Sequence, residues 1–438
     1  MRQLIKATMV VLMTVCISLH ILVSMSQAQG KEFKLGVLYC LTGGVAGAGG
    51  LAGYRGTMVA IDMINERGGI GGQYKVAPVV ADAESNPDVA VREGQRLMTV
   101  ENVPVVLGVM ASGNAVPLAP VAEKNKKIFW VTIAISDKVF EDRHLNYTFR
   151  VQPMGSQWGQ SSVEMVKQNY AKFGYADPKD IRVAVVHEDS PYGVSTSSAS
   201  SELLKKYGMK IVLVEPYDEK TKDLSSLILN LKTAKPDAIL HTGHFPDVVL
   251  FLRQARELGL KTKALVGHGA GYANFLLLRR AVDPSMVLYA CNVDPTPAQL
   301  LDRQKLAPEQ GELIKEFLER YKNKWDDGNP PTHATQGFGH AWILLNNVAK
   351  LALAKYGDLG PESIRKAAVD IDIPEGATPC GYGVKFAPPE DKYGGQNVRS
   401  YPVVVQWTKG KLGITWPESM KTAEPIIPMP EDSPFSTK

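Results

Sequence analysis

From residue 31 onward the chain alternates short runs of Val, Ile and Leu with longer amphipathic stretches, and that alternation restricts it to α/β folds. Strands are expected at 33–40, 74–82, 103–108 and 127–134, with helices at 53–67, 88–101 and 114–124 between them. Bounded by Gly, Pro or Asp, these strands read as buried on both faces. After residue 150 the pattern starts again. Helices are expected at 157–173, 192–207, 223–234 and 245–258, and strands at 181–188, 209–216, 238–243 and 264–266. Each round specifies a parallel sheet with helices on both faces, so the fold class is α/β with two doubly wound lobes. Past residue 300 the order changes to helices at 308–324, 333–355 and 361–368, then strand-like segments at 383–386 and 400–407. Such a tail cannot form a third doubly wound domain and is expected to return to complete the first two. Asp294-Pro295-Thr296-Pro297 marks a crossing, because two prolines in three residues exclude helix and favour extended chain.

At 438 residues, 45% hydrophobic and 21% charged, the chain has ample material for a large core. That composition excludes collagen-like, coiled-coil, mostly disordered and multi-spanning membrane proteins. The 49 Lys+Arg against 45 Asp+Glu leave no electrostatic footprint for nucleic acid. Residues 1–28 read as a cleavable signal peptide. Arg2 and Lys6 precede an apolar run over 7–25, and Ser26-Gln27-Ala28 offers the small residues of a cut site, with Gly30 as the second choice. The 19-residue run is long enough to anchor in a membrane, but the polar cut site directly after it favours export. Met13-Thr14-Val15 before Cys16 lacks the small residues of a lipid-attachment site. Cleavage leaves a net charge of 4 − 2 = +2 and three cysteines, Cys40, Cys291 and Cys380. An odd number means at least one free thiol, and spacing specifies no pairing. Cys40 and Cys291 end apolar runs and read as buried small hydrophobes.

Gly47-Ala48-Gly49-Gly50-Leu51-Ala52 fits a dinucleotide fingerprint between a strand and a helix. The ribose-binding acid should follow about 20 residues on. The first acid ending a strand is Asp82, 35 residues after Gly47. The stretch is therefore read as a flexible loop over 42–53 at the carboxyl end of the first strand, where open α/β sheets bind ligands. No cofactor is expected.

Leu41-Thr42-Gly43, Gly56 and Ile64-Asn65-Glu66-Arg67-Gly68-Gly69-Ile70-Gly71-Gly72 open an ordered set of motifs. The set continues with Gly108-Val109-Met110-Ala111-Ser112-Gly113, Phe149-Arg150, Asp189-Ser190-Pro191-Tyr192-Gly193, Lys235-Pro236-Asp237 and the stretch 252–259. Together they resemble periplasmic branched-chain-amino-acid-type binding proteins, the type I solute-binding proteins that feed ABC importers. The resemblance covers nearly the whole chain after the signal peptide. It implies two lobes joined by a three-segment hinge, with ligand trapped as they close. Carried onto this chain, lobe one is 31–151 plus 293–396 and lobe two is 152–292 plus 397–438. It also implies a periplasmic location, a membrane permease and ATPase as partners, and a monomer.

The resemblance assigns the ligand carboxylate to Ser112 and Ser136, with Ala134 supplying backbone, and it assigns lobe-two closure to Tyr192. Ser112-Gly113-Asn114 precedes an expected helix, so free N–H groups there can receive an anion without a formal cation. Plain helix capping is the alternative for Ser112 and Asn114. Ser112→Ala is expected to weaken binding by about 1–3 kcal/mol and leave folding nearly unchanged. Two departures bear on ligand choice. Ala48 stands near the position of the family's first-loop aromatic, and Gly267-His268-Gly269-Ala270-Gly271 contains no acid where amino-acid binders pair the ligand ammonium. His187, His241, His244 and His268 fall at the carboxyl ends of lobe-two strands. His244 and His268 are candidates to hydrogen-bond the ligand, while His187 and His241 read as satisfied beneath the cleft floor. No metal site is assigned, because no acid or thiol has an obvious place among them. The expected ligand is a small organic acid, aromatic acids included, or an amide, rather than leucine or valine. A sensory receptor of the same fold is the alternative function. An enzyme is disfavoured, since the chain carries no Gly-x-Ser-x-Gly, His-Glu-x-x-His, Cys-x-x-Cys or P-loop motif.

Overall fold

A computed structural model describes residues 31–438 apart from 326, 327, 409 and the side chain of Ala48; the expected signal peptide and Cys16 lie outside the described residues. The first sheet holds β1 (Lys31–Tyr39), β2 (Tyr74–Asp82), β3 (Val105–Gly108), β4 (Ile128–Val131) and β5 (Thr148–Arg150). Its order is β2-β1-β3-β4-β5, and every pairing is parallel. The second sheet holds β6 (Arg182–Glu188), β7 (Lys210–Tyr217), β8 (Ala238–Thr242), β9 (Ala264–His268), β10 (Cys291–Asp294), β11 (Val403–Thr408) and β12 (Lys411–Trp416). Its order is β12-β11-β10-β9-β8-β6-β7, parallel from β10 to β7, with β11 and β12 added antiparallel. The fold is therefore α/β with two doubly wound lobes.

Alternation along β6 shows why a Val-rich run makes such a sheet. Val183 and Val185 face one hydrophobic core while Ala184 and Val186 face another, so both sheet faces are covered. Expectation and structure part at the edges. β2 is an outer strand with half-exposed side chains, not a strand buried on both faces, because an edge strand has one neighbour and lies partly beyond the covering helices. Residues 383–386 form only isolated bridges, Ile373 with Val384 and Phe386 with Asn397. β5, β10, β12 and the helix Phe275–Ala281 were not expected; each is short, and too few residues show a period.

The tail does return. Its helix Thr332–Trp342 packs on Leu51–Glu66 beside the first sheet, and the indole N–H of Trp130 in β4 donates to the His340 carbonyl at 3.0 Å. Contact between these helices is backbone-close: a Cβ on Gly56 would sit 2.0 Å from the Ala334 carbonyl oxygen, and one on Gly337 the same distance from that of Gly53. The glycine-rich stretch is also tighter than a flexible loop. Ala46–Gly50 forms a π-helical turn leading into Leu51–Glu66, and a Cβ on Gly50 would lie 1.8 Å from the Cys40 carbonyl oxygen. Asp82 serves this loop rather than a ribose, accepting from Leu41 N at 2.8 Å and Thr42 Oγ1 at 2.7 Å.

Two passages between the sheets run side by side. Arg150, wholly buried at the end of β5, donates from Nε to Gln396 Oε1 at 2.7 Å, and Asn397 donates to the carbonyls of Arg150 and Val151. The third passage leaves β10 at Asp294, into the Pro295–Pro297 stretch. Cys40, Cys291 and Cys380 are buried free thiols.

Candidate functional site

The carboxyl ends of the two sheets face each other across a narrow cavity with about 290 Å³ of atom-free space, part of it open to solvent. Met110, Ser112, Ile133 and Ile135 line it from beyond β3 and β4, and Tyr192, His244 and Ala270 from beyond β6, β8 and β9. Trp158 enters from the helix Gly155–Gln168, and His333 from Thr332–Trp342. Thus Ser112, Tyr192 and His244 reach the cavity among the expected residues, while Gly113, Asn114, Ala134, Ser136 and His268 stand behind or beside it.

Ser112 opens its helix, with Ala111 in the capping position, so it does not cap. Its Oγ instead accepts from Ile135 N at 3.2 Å and Ser136 N at 3.1 Å, tying the loop after β4 to the end of β3. Asn114 bonds the Ala111 carbonyl through its main-chain N–H, and its side-chain amide donates to Cys40 Sγ at 3.4 Å. Gly113, half-buried in the first turn, lies outside the lining. Ala134 has no backbone to spare, its N–H bonding the Val109 carbonyl and its carbonyl accepting from Arg150 at 3.2 Å. Ser136 is fully buried, and its Oγ meets Ser195 Oγ at 2.8 Å, joining the loop after β4 to the helix Pro191–Lys206 beside the second sheet.

Tyr192 donates its hydroxyl to the His268 carbonyl, which leaves its ring as the face toward the cavity. His268 shares a hydrogen bond with Thr242 Oγ1 at 2.8 Å through Nδ1; burial pushes its imidazole down to about 3, so it stays neutral. His241 is bonded through both ring nitrogens, to Tyr217 at 2.9 Å and Tyr272 at 2.7 Å, and burial likewise lowers it to about 3. His187 Nδ1 is 2.7 Å from the Glu188 carbonyl oxygen.

His244 packs against Tyr192 with ring centroids 5.1 Å apart and the planes tilted by 42°, and its Nε2 lies 3.9 Å from Glu219. Glu188, Glu219 and His244 bring their ligating atoms within 4.8 Å of one another, so acids do stand beside this histidine, contrary to expectation. Parallel pairing puts the ends of β6, β7 and β8 side by side, which spacing along the chain does not reveal. The oxygens of Glu188 are committed to Ser190 N and Gly193 N, each at 2.6 Å, and to Ser190 Oγ at 2.9 Å. Burial raises its carboxyl to about 7. Burial likewise raises Asp247 to about 6 and holds Asp294 well above the usual carboxylate range. The floor of the second lobe is polar, and burial makes its carboxyls harder to ionise than free ones.

Trp158 and His333 escaped the sequence reading. A lone tryptophan in the first turn after a crossing was the available signal for Trp158; His333 carried none, since only the returning tail brings it to the cleft. The loop after β9 explains the position of Trp158. A Cβ on Gly269 would fall 2.0 Å from the Trp158 ring, so the indole fills the space that a side chain there would need.

A profile of the family described as periplasmic binding protein matches residues 32–411. The chain is 32% identical over 422 residues to Leu/Ile/Val-binding protein homolog 7 of Brucella suis, covering 94% of this chain and 98% of that one. Among solved structures, the branched-chain amino acid transporter substrate-binding protein LivJ of Streptococcus pneumoniae, in complex with isoleucine, superposes with a TM-score of 0.71. Its identity is 20%, with 87% of this chain and 98% of that one covered. A solute-binding protein of a Rhodopseudomonas palustris ABC transporter, in complex with benzoate, also gives 0.71, at 18% identity over 91% and 99% of the two chains. These relatives are solute-binding proteins that act outside the cytoplasm rather than enzymes. Two facing α/β lobes, a cavity between their carboxyl ends and these likenesses together establish that the chain belongs to the periplasmic binding protein family.

Proposed function

We propose that this protein is the extracytoplasmic receptor of an ABC importer and captures a small organic acid, aromatic acids included, between two closing lobes. The lobes are 31–151 with 293–396 and 152–292 with 397–438, and the segment 1–28 directs export before the monomeric receptor meets its permease and ATPase. One observation carries the choice of ligand. The cavity is lined by apolar, aromatic, hydroxyl and imidazole side chains, and no acidic side chain lines it among the described residues. An α-amino acid enclosed there would bury its ammonium without a carboxylate partner, at a cost of several kcal/mol. Relatives of this fold bound to isoleucine and to benzoate superpose equally well, so lining chemistry rather than fold distinguishes the ligands.

A thermal-shift and small-angle scattering screen of the purified receptor against a metabolite library tests this. Small carboxylic acids are expected to raise Tm by mass action and to reduce the radius of gyration. Unchanged scattering and Tm across every member would refute a closing receptor.

A further inference from the structure

We propose that Trp158 selects the ligand: its indole N–H donates to the ligand carboxylate, and the same arrangement turns away the ammonium of an amino acid. The inference rests on the solute-binding reading above and deepens it. Trp158 is 3% exposed, lines the cavity, and its Nε1 has no hydrogen-bond partner among the described residues. Buried indole N–H groups ordinarily find an acceptor, and this one belongs to a side chain that lines the cavity yet has none. The group cannot accept, so whatever meets it must.

The rest of the lining agrees. Ser112 Oγ has taken up two main-chain N–H groups, and its own hydrogen is committed to no acceptor among the described residues. His244, 7% exposed, likewise leaves Nδ1 without a partner among the described residues while its Nε2 faces Glu219. Three lining residues therefore carry an uncommitted O–H, an uncommitted N–H and an imidazole nitrogen that can serve either way, and none of them is an acid. Gly269 completes the device. A side chain at that position would collide with the indole, so an acid at 269 and this tryptophan exclude each other.

Isothermal titration of wild type and Trp158→Phe with benzoate, 4-methylpentanoate and L-leucine tests the proposal. Phenylalanine keeps a ring over Gly269 and removes the N–H; an unliganded Tm within a few degrees of wild type confirms the fold. The tighter-binding of the two acids is expected to lose about tenfold in affinity in the variant. In wild type alone, 4-methylpentanoate, which is leucine without its amine, is expected to bind more tightly than leucine. Unchanged acid affinity in the variant, or tighter binding of leucine in wild type, overturns the inference and leaves the receptor reading standing. Compaction only by library members without a carboxylate does the same. Failure of every library member to compact the protein overturns both.

Discussion

Ser112 carries two duties that its motif does not separate. It lines the cavity, and its Oγ also accepts from Ile135 N and Ser136 N, both within buried residues. The expectation that Ser112→Ala leaves folding nearly unchanged therefore needs correction. The variant strands two buried donors, and about 2 kcal/mol should be lost from the unliganded protein in urea unfolding, in addition to the loss of ligand affinity. An unchanged unfolding midpoint would show that the loop after β4 holds itself. Ser112 and Tyr192 were legible because they sit in motifs at strand ends. Ser136, Ala134 and Asn114 sit in equally legible places, yet neighbouring residues already occupy their polar groups.

At the scale of elements, the contact of Leu51–Glu66 with Thr332–Trp342 positions one wall of the site, since His333 lies in the first turn of the second helix. Gly337→Ala would push a methyl group against the Gly53 carbonyl and separate the helices. Overpacking of this kind costs about 1–3 kcal/mol, so Tm should fall, and ligand affinity with it as His333 shifts. Gly44→Ala, with nothing within 4 Å of its new Cβ, is the control and should be neutral. Equal effects of the two substitutions would show that the helix contact is not tight. The long strands and helices could be read from their periods, but this contact joins segments about 280 residues apart, and nothing local to either glycine announces its partner.

For the whole molecule, Ser136 beyond β4 meets Ser195 on Pro191–Lys206. Ser195 Oγ also accepts from Asp137 N at 3.2 Å, and Asp137 Oδ1 accepts from Ser156 N at 3.1 Å. These bonds span the proposed lobes. Ser195→Ala should shift the unliganded receptor toward the open form, raising its radius of gyration in scattering and weakening binding by about 1 kcal/mol. An unchanged radius and affinity would remove Ser195 from the closing contact.

The alternation of strand and helix, its restart near residue 150 and the proline-marked crossing are local properties, set by side-chain period and by backbone restriction within a few residues. The sequence alone thus determined an α/β fold of two lobes with the candidate site loops at the strand ends. Which atoms in those loops remain free was decided by the tertiary structure. Parallel register sets Glu188 and Glu219 beside His244, the crossing helix lays Trp158 over Gly269, and the returning tail delivers His333. A polar group becomes available to a ligand only when packing has left it no other partner, and that depends on neighbours far away along the chain.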